Sequence, residues 1–353
     1  MAQDLMQMKD VAAGIRWQAE HAAKAGAECT ARVVLAQLRV VEGDTATGTR
    51  MREWPGNVIE DALPLRLAGG LHNLLLTDTD RSLRTVYSGE IIDQDQVDNI
   101  VSAMVQRHDE RLLPWLDGPP QTNEAGRSAS IMAGLMWLWG KVGPRFELNE
   151  LGSSAGVNTM MERFGFDLGG VKAGVAGSPM QIKPEWEGPP PPDNPVEIVS
   201  IQGCDLTPID LSQPEMGLRL KSYVWPEVTE RIGRIDAAIG FAQDKRPDVV
   251  KMDAGAWVAK RLSEPQEAGV TRVLFHSIVW QYIPAEIRAE IEAAMEAAGA
   301  KATAERPLAW LTLETNRATF RHELHVRYWP SGGEAKLLGC AHPHGAWVDW
   351  FGV

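Results

Sequence analysis

Glu150 is followed by a run of small residues, Gly152, Ser153, Ser154 and Gly156, and then by Asn158, just where an alternation of apolar and polar positions beginning at Phe146 comes to an end. The alternation predicts a strand over 145–151, and the small residues predict a turn into a helix from about Ala155 to Phe164. Glycine at 152 and 156 permits backbone conformations and close approaches that a Cβ forbids, and the hydroxyls of Ser153 and Ser154 can cap the amides of the next helix. A strand that hands over to a helix N-terminus in this way is a natural ligand site. Three further strand ends are polar: Asp205 after 196–202, Asp253 with Ala254 after 248–252, and His276 with Ser277 after 272–275. Gln281 and Tyr282 stand on the loop beyond His276, where they could orient a substrate or line its pocket. Upstream, Asn123, Glu124 and Arg127 form the polar front of an apolar helix, with Thr122 or Asn123 suited to its N-cap. Arg127 could pair with Glu124 at helical spacing or clamp the carboxylate of a substrate.

These residues need elements to hold them. Up to residue 142 the apolar positions recur at helical spacing, and no segment alternates convincingly, so 1–142 reads as an all-helical N-terminal region that serves as a lid and selects substrate. Within it, His72 reads as a packed helix residue. From 143 to 353 strand patterns alternate with helical ones, as in a parallel sheet. Five such units are followed by two strand-like segments, 323–328 and 335–350, separated by Pro330, Ser331, Gly332 and Gly333, which predict a hairpin. The segment at about 169–195, which contains Trp186 and the consecutive prolines Pro189 to Pro192, reads as a proline-rich insertion forming a loop or short hairpin.

The 353 residues, 44% of them hydrophobic, suffice for a large core, and no apolar run is long enough to span a bilayer. The N-terminus lacks a signal-peptide pattern, so a cytoplasmic protein with no membrane partner is expected. A net charge of −12 disfavours nucleic acid as a partner. The three cysteines suggest neither disulfides nor a structural zinc site. Cys340, His342 and His344 share a strand face by periodicity, but Pro343 interrupts the pairing and no fourth ligand is evident, so no metal is expected.

The spacing of Glu150, Gly152, Ser154 and Gly156 resembles the acidic, glycine-rich first motif of class I S-adenosylmethionine-dependent methyltransferases, with Ser154 at the usual middle glycine. Five strand–helix units closed by a hairpin are similar to their Rossmann-like, seven-stranded α/β sheet, whose last strand inserts antiparallel at the edge. This resemblance covers 143–353 and implies S-adenosylmethionine as cofactor. Glu150, Gly152, Ser153, Ser154, Gly156, Asn158, Asp205, Asp253, Ala254 and Ser277 would then bind it, Asp205 through the ribose hydroxyls and Asp253 through the adenine amine. His276 and Tyr282 would be the catalytic candidates, and Asn123, Glu124 and Arg127 would contact a small-molecule substrate. Three of these residues have an alternative role: Asp205 can cap the turn at Thr207, Asp253 can cap the helix containing Trp257, and His276 can be a buried core histidine. Residues 121–127, 150–158, 203–206 and 342–347 together also resemble the bacterial family known only as domain of unknown function 2332, to which no reaction is attached. The expected function is methyl transfer to an unidentified small molecule. A non-catalytic nucleoside-binding protein of the same fold is the alternative, and a hydrolase is a weaker one.

Overall fold

A computed structural model describes residues 8–121 and 123–352, so Thr122 lies outside the described residues. Two compact units emerge. One holds the described residues up to 121 together with Gln213–Ile235, and the other holds Asn123–Ser212 and the described chain from Asp236 onward.

The first unit is helical, with Val11–Lys24, Glu28–Leu35, Leu63–Leu76, Gln94–Leu112 and Pro214–Ser222 among its helices. Leu63, Leu67, Leu71 and Leu74 repeat every three or four residues and meet Val97, Val101 and Met104 in one core. His72, on the same helix, is buried, and its Nδ1 lies 3.1 Å from the Ser222 carbonyl oxygen. Among the described residues no helix is long and apolar enough to cross a membrane.

The second unit is built on strands β1 (Arg145–Leu151), β2 (Gly165–Leu168), β3 (Val171–Gly174), β4 (Gln181–Ile182), β5 (Glu185–Glu187) and β6 (Glu197–Asp205). They continue with β7 (Val249–Lys251), β8 (Thr271–Ser277), β9 (Leu308–Thr315), β10 (His322–Trp329), β11 (Lys336–Ala341) and β12 (Trp347–Trp350). Nine of them form one mixed sheet in the order β5-β12-β11-β10-β9-β8-β1-β6-β7. From β7 to β9 the neighbours are parallel. The chain leaves β1 toward β6 and later returns to build β8 on the other side, so the winding direction reverses beside β1, where ligands of open parallel sheets bind.

The seven-stranded expectation gives way to nine strands for two reasons. After β9 the chain adds β10, β11 and β12 in succession as antiparallel neighbours, with no strand inserted between earlier ones. The insertion then contributes β5, which pairs parallel with the outer edge of β12, while β2, β3 and β4 form a separate small sheet.

Register decides which side chains share a face. Glu150 lies opposite Phe275, and Leu151 lies opposite His276. Phe275 aligns with Leu311, which packs against the Ser128–Val142 helix where Gly134 leaves room. The other face, with Leu151, Leu274 and Trp310, is covered by the helices Ala254–Ser263 and Ala285–Gly299 through Trp257, Ile291 and Met295. Lower on that face Glu147 is flanked by Arg261 at 2.7 Å and Arg272 at 3.0 Å, so the buried charge is paired.

Burial pushes the pKa of His72 down to about 4, so the folded chain holds the ring neutral. Its contribution is complete above the unfolded pKa of 6.5 and is lost as pH falls from there toward 4, by up to about 3 kcal/mol. The His72→Gln variant should flatten this acid limb in a plot of melting temperature against pH. An unchanged limb would assign the acid sensitivity to another group.

Candidate functional site

The end of β1 turns through three residues of positive φ, Gly152 at 66°, Ser154 at 50° and Gly156 at 71°. Each glycine is needed for packing as well as for conformation. A Cβ at 152 would lie 2.3 Å from a Val279 methyl carbon, and one at 156 would lie 2.6 Å from Pro247. Ser154 is in the left-handed region without being glycine, and the neighbouring β8 loop repeats the feature at Ile278, with φ 53°. A β-branched residue there is strained, and such strain is typically held in place at functional sites.

The loop is fixed by bonds from several directions. Ser153 N–H donates to the Cys204 carbonyl at 3.0 Å, and its hydroxyl donates to the Glu150 carbonyl at 3.1 Å. Ser154 N–H donates to Asp205 Oδ2 at 2.8 Å, and Thr207 N–H donates to Asp205 Oδ1 at 2.8 Å. Val157 N–H donates to Asn123 Oδ1 at 2.6 Å. These bonds consume amides that a helix start would leave free. With Gly156 at a positive φ, the loop leads into the short 3-10 helix Asn158–Arg163, not an α-helix from 155, and neither serine acts as its cap.

Glu150 lies beneath this loop. It is 2% exposed, and Oε1 accepts from Asn158 Nδ2 at 3.4 Å. Three buried atoms here lack hydrogen-bond partners: Glu150 Oε2, Asn158 Oδ1 and Ser154 Oγ. Burial raises the Glu150 pKa to about 7, opposed by hydrogen bonds and by the nearby charge of Arg127. Arg127 donates from Nε to the Pro343 carbonyl at 2.8 Å and from Nη1 to the Ser277 carbonyl at 3.1 Å. Glu124 caps the 3-10 turn Ala125–Arg127, its side chain accepting from Gly126 N–H, while Asn123 is engaged by Val157 and the apolar helix Ser128–Val142 that it was expected to cap has no side-chain cap; Glu124 Oε2 also lies 3.8 Å from His344 Nδ1. Gly345 touches the backbone of Gly126 so closely that a Cβ would lie 2.3 Å from its carbonyl carbon. The segments around 123–127, 150–158, 205 and 342–347, remote in the chain, thus meet in one place.

The other candidates are engaged differently. Asp253 caps the Ala254–Ser263 helix, accepting from Ala256 N–H at 3.1 Å. Tyr282 is 74% exposed. His276 is buried on the face opposite Glu150, with Nδ1 2.7 Å from Glu314 Oε1. Glu314 is a further polar residue at a strand end, as Glu150 and Asp205 are, and was not singled out from the sequence. His322 was also missed. It contacts Thr315 Oγ1 at 2.9 Å, and its pKa is lowered by burial and then by the charges of Arg127 and His342. Among the described residues no three His, Cys, Asp or Glu side chains are grouped to hold a metal ion.

The chain matches the family described as "Uncharacterized protein conserved in bacteria (DUF2332)" over residues 12–350, and it belongs to that family. No curated protein and no solved structure matches it.

Because the folded pKa of Glu150 is raised, the folded chain binds its proton more tightly than the unfolded chain does. Stability therefore falls as pH rises from 4.5 through about 7, by about 3 kcal/mol. Urea denaturation of the Glu150→Gln variant should show this loss removed between pH 5 and pH 8, and an equal loss in variant and wild type would refute the assignment. Gly345→Ala, at φ 72° against Gly126, should cost about 2–4 kcal/mol. The same change at Gly332, which has positive φ but open space, should cost only about 1 kcal/mol.

Proposed function

We propose that this family member is an S-adenosylmethionine-dependent methyltransferase for a small molecule, with its cofactor site over the carboxyl ends of β1, β6 and β7. The observation that carries the reading is the set of unpartnered buried atoms around one loop at the reversal of winding, Glu150 Oε2, Asn158 Oδ1 and Ser154 Oγ. Two are acceptors, and the third is a hydroxyl that can accept. Such a set suits a ligand rich in donors and positive charge. S-adenosylmethionine has an ammonium, a sulfonium, two ribose hydroxyls and an adenine amine, and when bound it supplies an electrophilic methyl group.

In this reading ionised Glu150 balances the positive end of the cofactor. Asp205 retains lone pairs beyond those given to Ser154 and Thr207, and they accept the ribose hydroxyls. Asp253 keeps Oδ1 on the helix cap at Ala256 and, beside Ala254, accepts the adenine amine through Oδ2. The gaps at Gly152 and Gly156 are filled by Val279 and Pro247, so the ligand meets the loop through Ser154 and Asn158. Arg127 and Asn123 frame the site through their backbone contacts, and substrate selection by Glu124 and its neighbours belongs to the same proposal. Rate enhancement comes chiefly from holding acceptor and methyl in line and excluding water.

A second reading, binding without transfer, is favoured by the placement of His276, which the sheet turns away from Glu150. Calorimetry with S-adenosylhomocysteine should give micromolar affinity, weakened about tenfold or more by Glu150→Gln. No heat and no thermal shift at millimolar ligand would sink both readings. Binding without methyl transfer across a panel of small nucleophiles would select the second.

A further inference from the structure

On the face of the sheet away from Glu150, strands β8 to β10 and the Ala285–Gly299 helix border a cavity of about 530 Å³. Its volume is in the ordinary range for small-molecule sites. Trp280 stacks on His276, with ring centroids 4.8 Å apart and planes 12° from parallel, and meets Trp310 edge to face. The wall is therefore flat and aromatic.

Two polar atoms in that wall are buried without partners, His276 Nε2 and Trp310 Nε1, on side chains of residues 1% and 5% exposed. Glu314 Oε1 takes Nδ1 of His276 at 2.7 Å and the Val279 N–H at 3.1 Å. With Nδ1–H donated to this carboxylate, Nε2 of the neutral ring is an acceptor, whereas the indole N–H of Trp310 only donates. One acceptor and one donor, on rings whose centroids are 6.0 Å apart, match a single group that both gives and takes a hydrogen bond. A hydroxyl does this. The charged lining, Glu292, Glu296 and Glu314 against Arg327, opposes carboxylates and phosphates. Arg327 is moreover paired with Glu296.

We propose that this cavity is a binding site for an aromatic molecule that bears a hydroxyl and no carboxylate or phosphate, the hydroxyl donating to His276 Nε2 and accepting from Trp310 Nε1. The site does not depend on what the Glu150 loop binds. A ligand that satisfies both atoms removes the penalty of leaving them unpaired, which gives the hydroxyl its selectivity over a bare hydrocarbon.

The test is calorimetry at pH 8 on the full chain with four ligands that share one ring system: naphthylethanol, ethylnaphthalene, naphthylethylamine and naphthylacetate. The alcohol should bind about tenfold tighter than the hydrocarbon, and the acetate should not bind. Trp310→Phe should weaken the alcohol about tenfold while leaving ethylnaphthalene unchanged, a split that a general loss of packing would not produce. Ala293→Trp, at an exposed position lining the cavity, should block all binding, and it serves as the deciding variant if Trp310→Phe fails to fold. Tighter binding of the amine, equal binding of alcohol and hydrocarbon, or binding by none of the four would overturn the proposal.

Discussion

Arg127 donates to the carbonyls of Pro343 and Ser277, at 2.8 and 3.1 Å, and its charge eases the burial of Glu150. Those carbonyls belong to the loop before β12 and to the end of β8, so one guanidinium joins segments 216 and 150 positions away along the chain. A guanidinium suits this task because its donors are fixed in a plane and it stays charged when buried. Its loss would leave two carbonyls short of a donor and remove the positive charge near Glu150, and unpaired buried groups are costly.

Around this tie the sheet separates two chemistries by a single step of register. Glu150 faces the side covered by the Ser128–Val142 helix, while Leu151 and His276 face the side covered by the Ala285–Gly299 helix. Side chains alternate along a strand, so adjacent residues at one strand end serve different sides of the sheet. The Glu150 side is rich in acceptors and lies under a loop with a strained Ser154; the other side is aromatic and holds the His276–Glu314 pair. Ile278, also strained, lies on the β8 loop between them and donates its N–H to the Leu313 carbonyl at 2.9 Å. Backbone strain is sustained there because bonds on both sides of each residue hold it.

Much of the second unit was legible from pattern. The alternation at 145–151 marked β1 with its observed ends, and the five parallel strands occur where strand and helix patterns alternate. The extra strands were harder to see. β5 has only three residues and exists because the edge of β12 offers it unpaired backbone groups, a property of the assembled sheet. The helix expected from about Ala155 is cut short to the 3-10 helix Asn158–Arg163 because Gly156 holds a positive φ of 71°, which a right-handed helix cannot contain. The loop is also tied to distant segments, Asn123 taking the Val157 amide from thirty-four positions away.

By itself the sequence determined where strand and helix patterns alternate, the positions of the glycines and the kinds of polar residue available to a ligand, since alternation and residue type are local properties. Tertiary structure alone decided which of these meet. It brought 123–127 and 342–345 to Glu150, committed Asp253 to a helix cap, and turned His276 toward Glu314 on the opposite face. The physical reason is that hydrogen bonds and burial depend on partners supplied by distant parts of the chain, while a one-residue change in register reverses the side a residue serves.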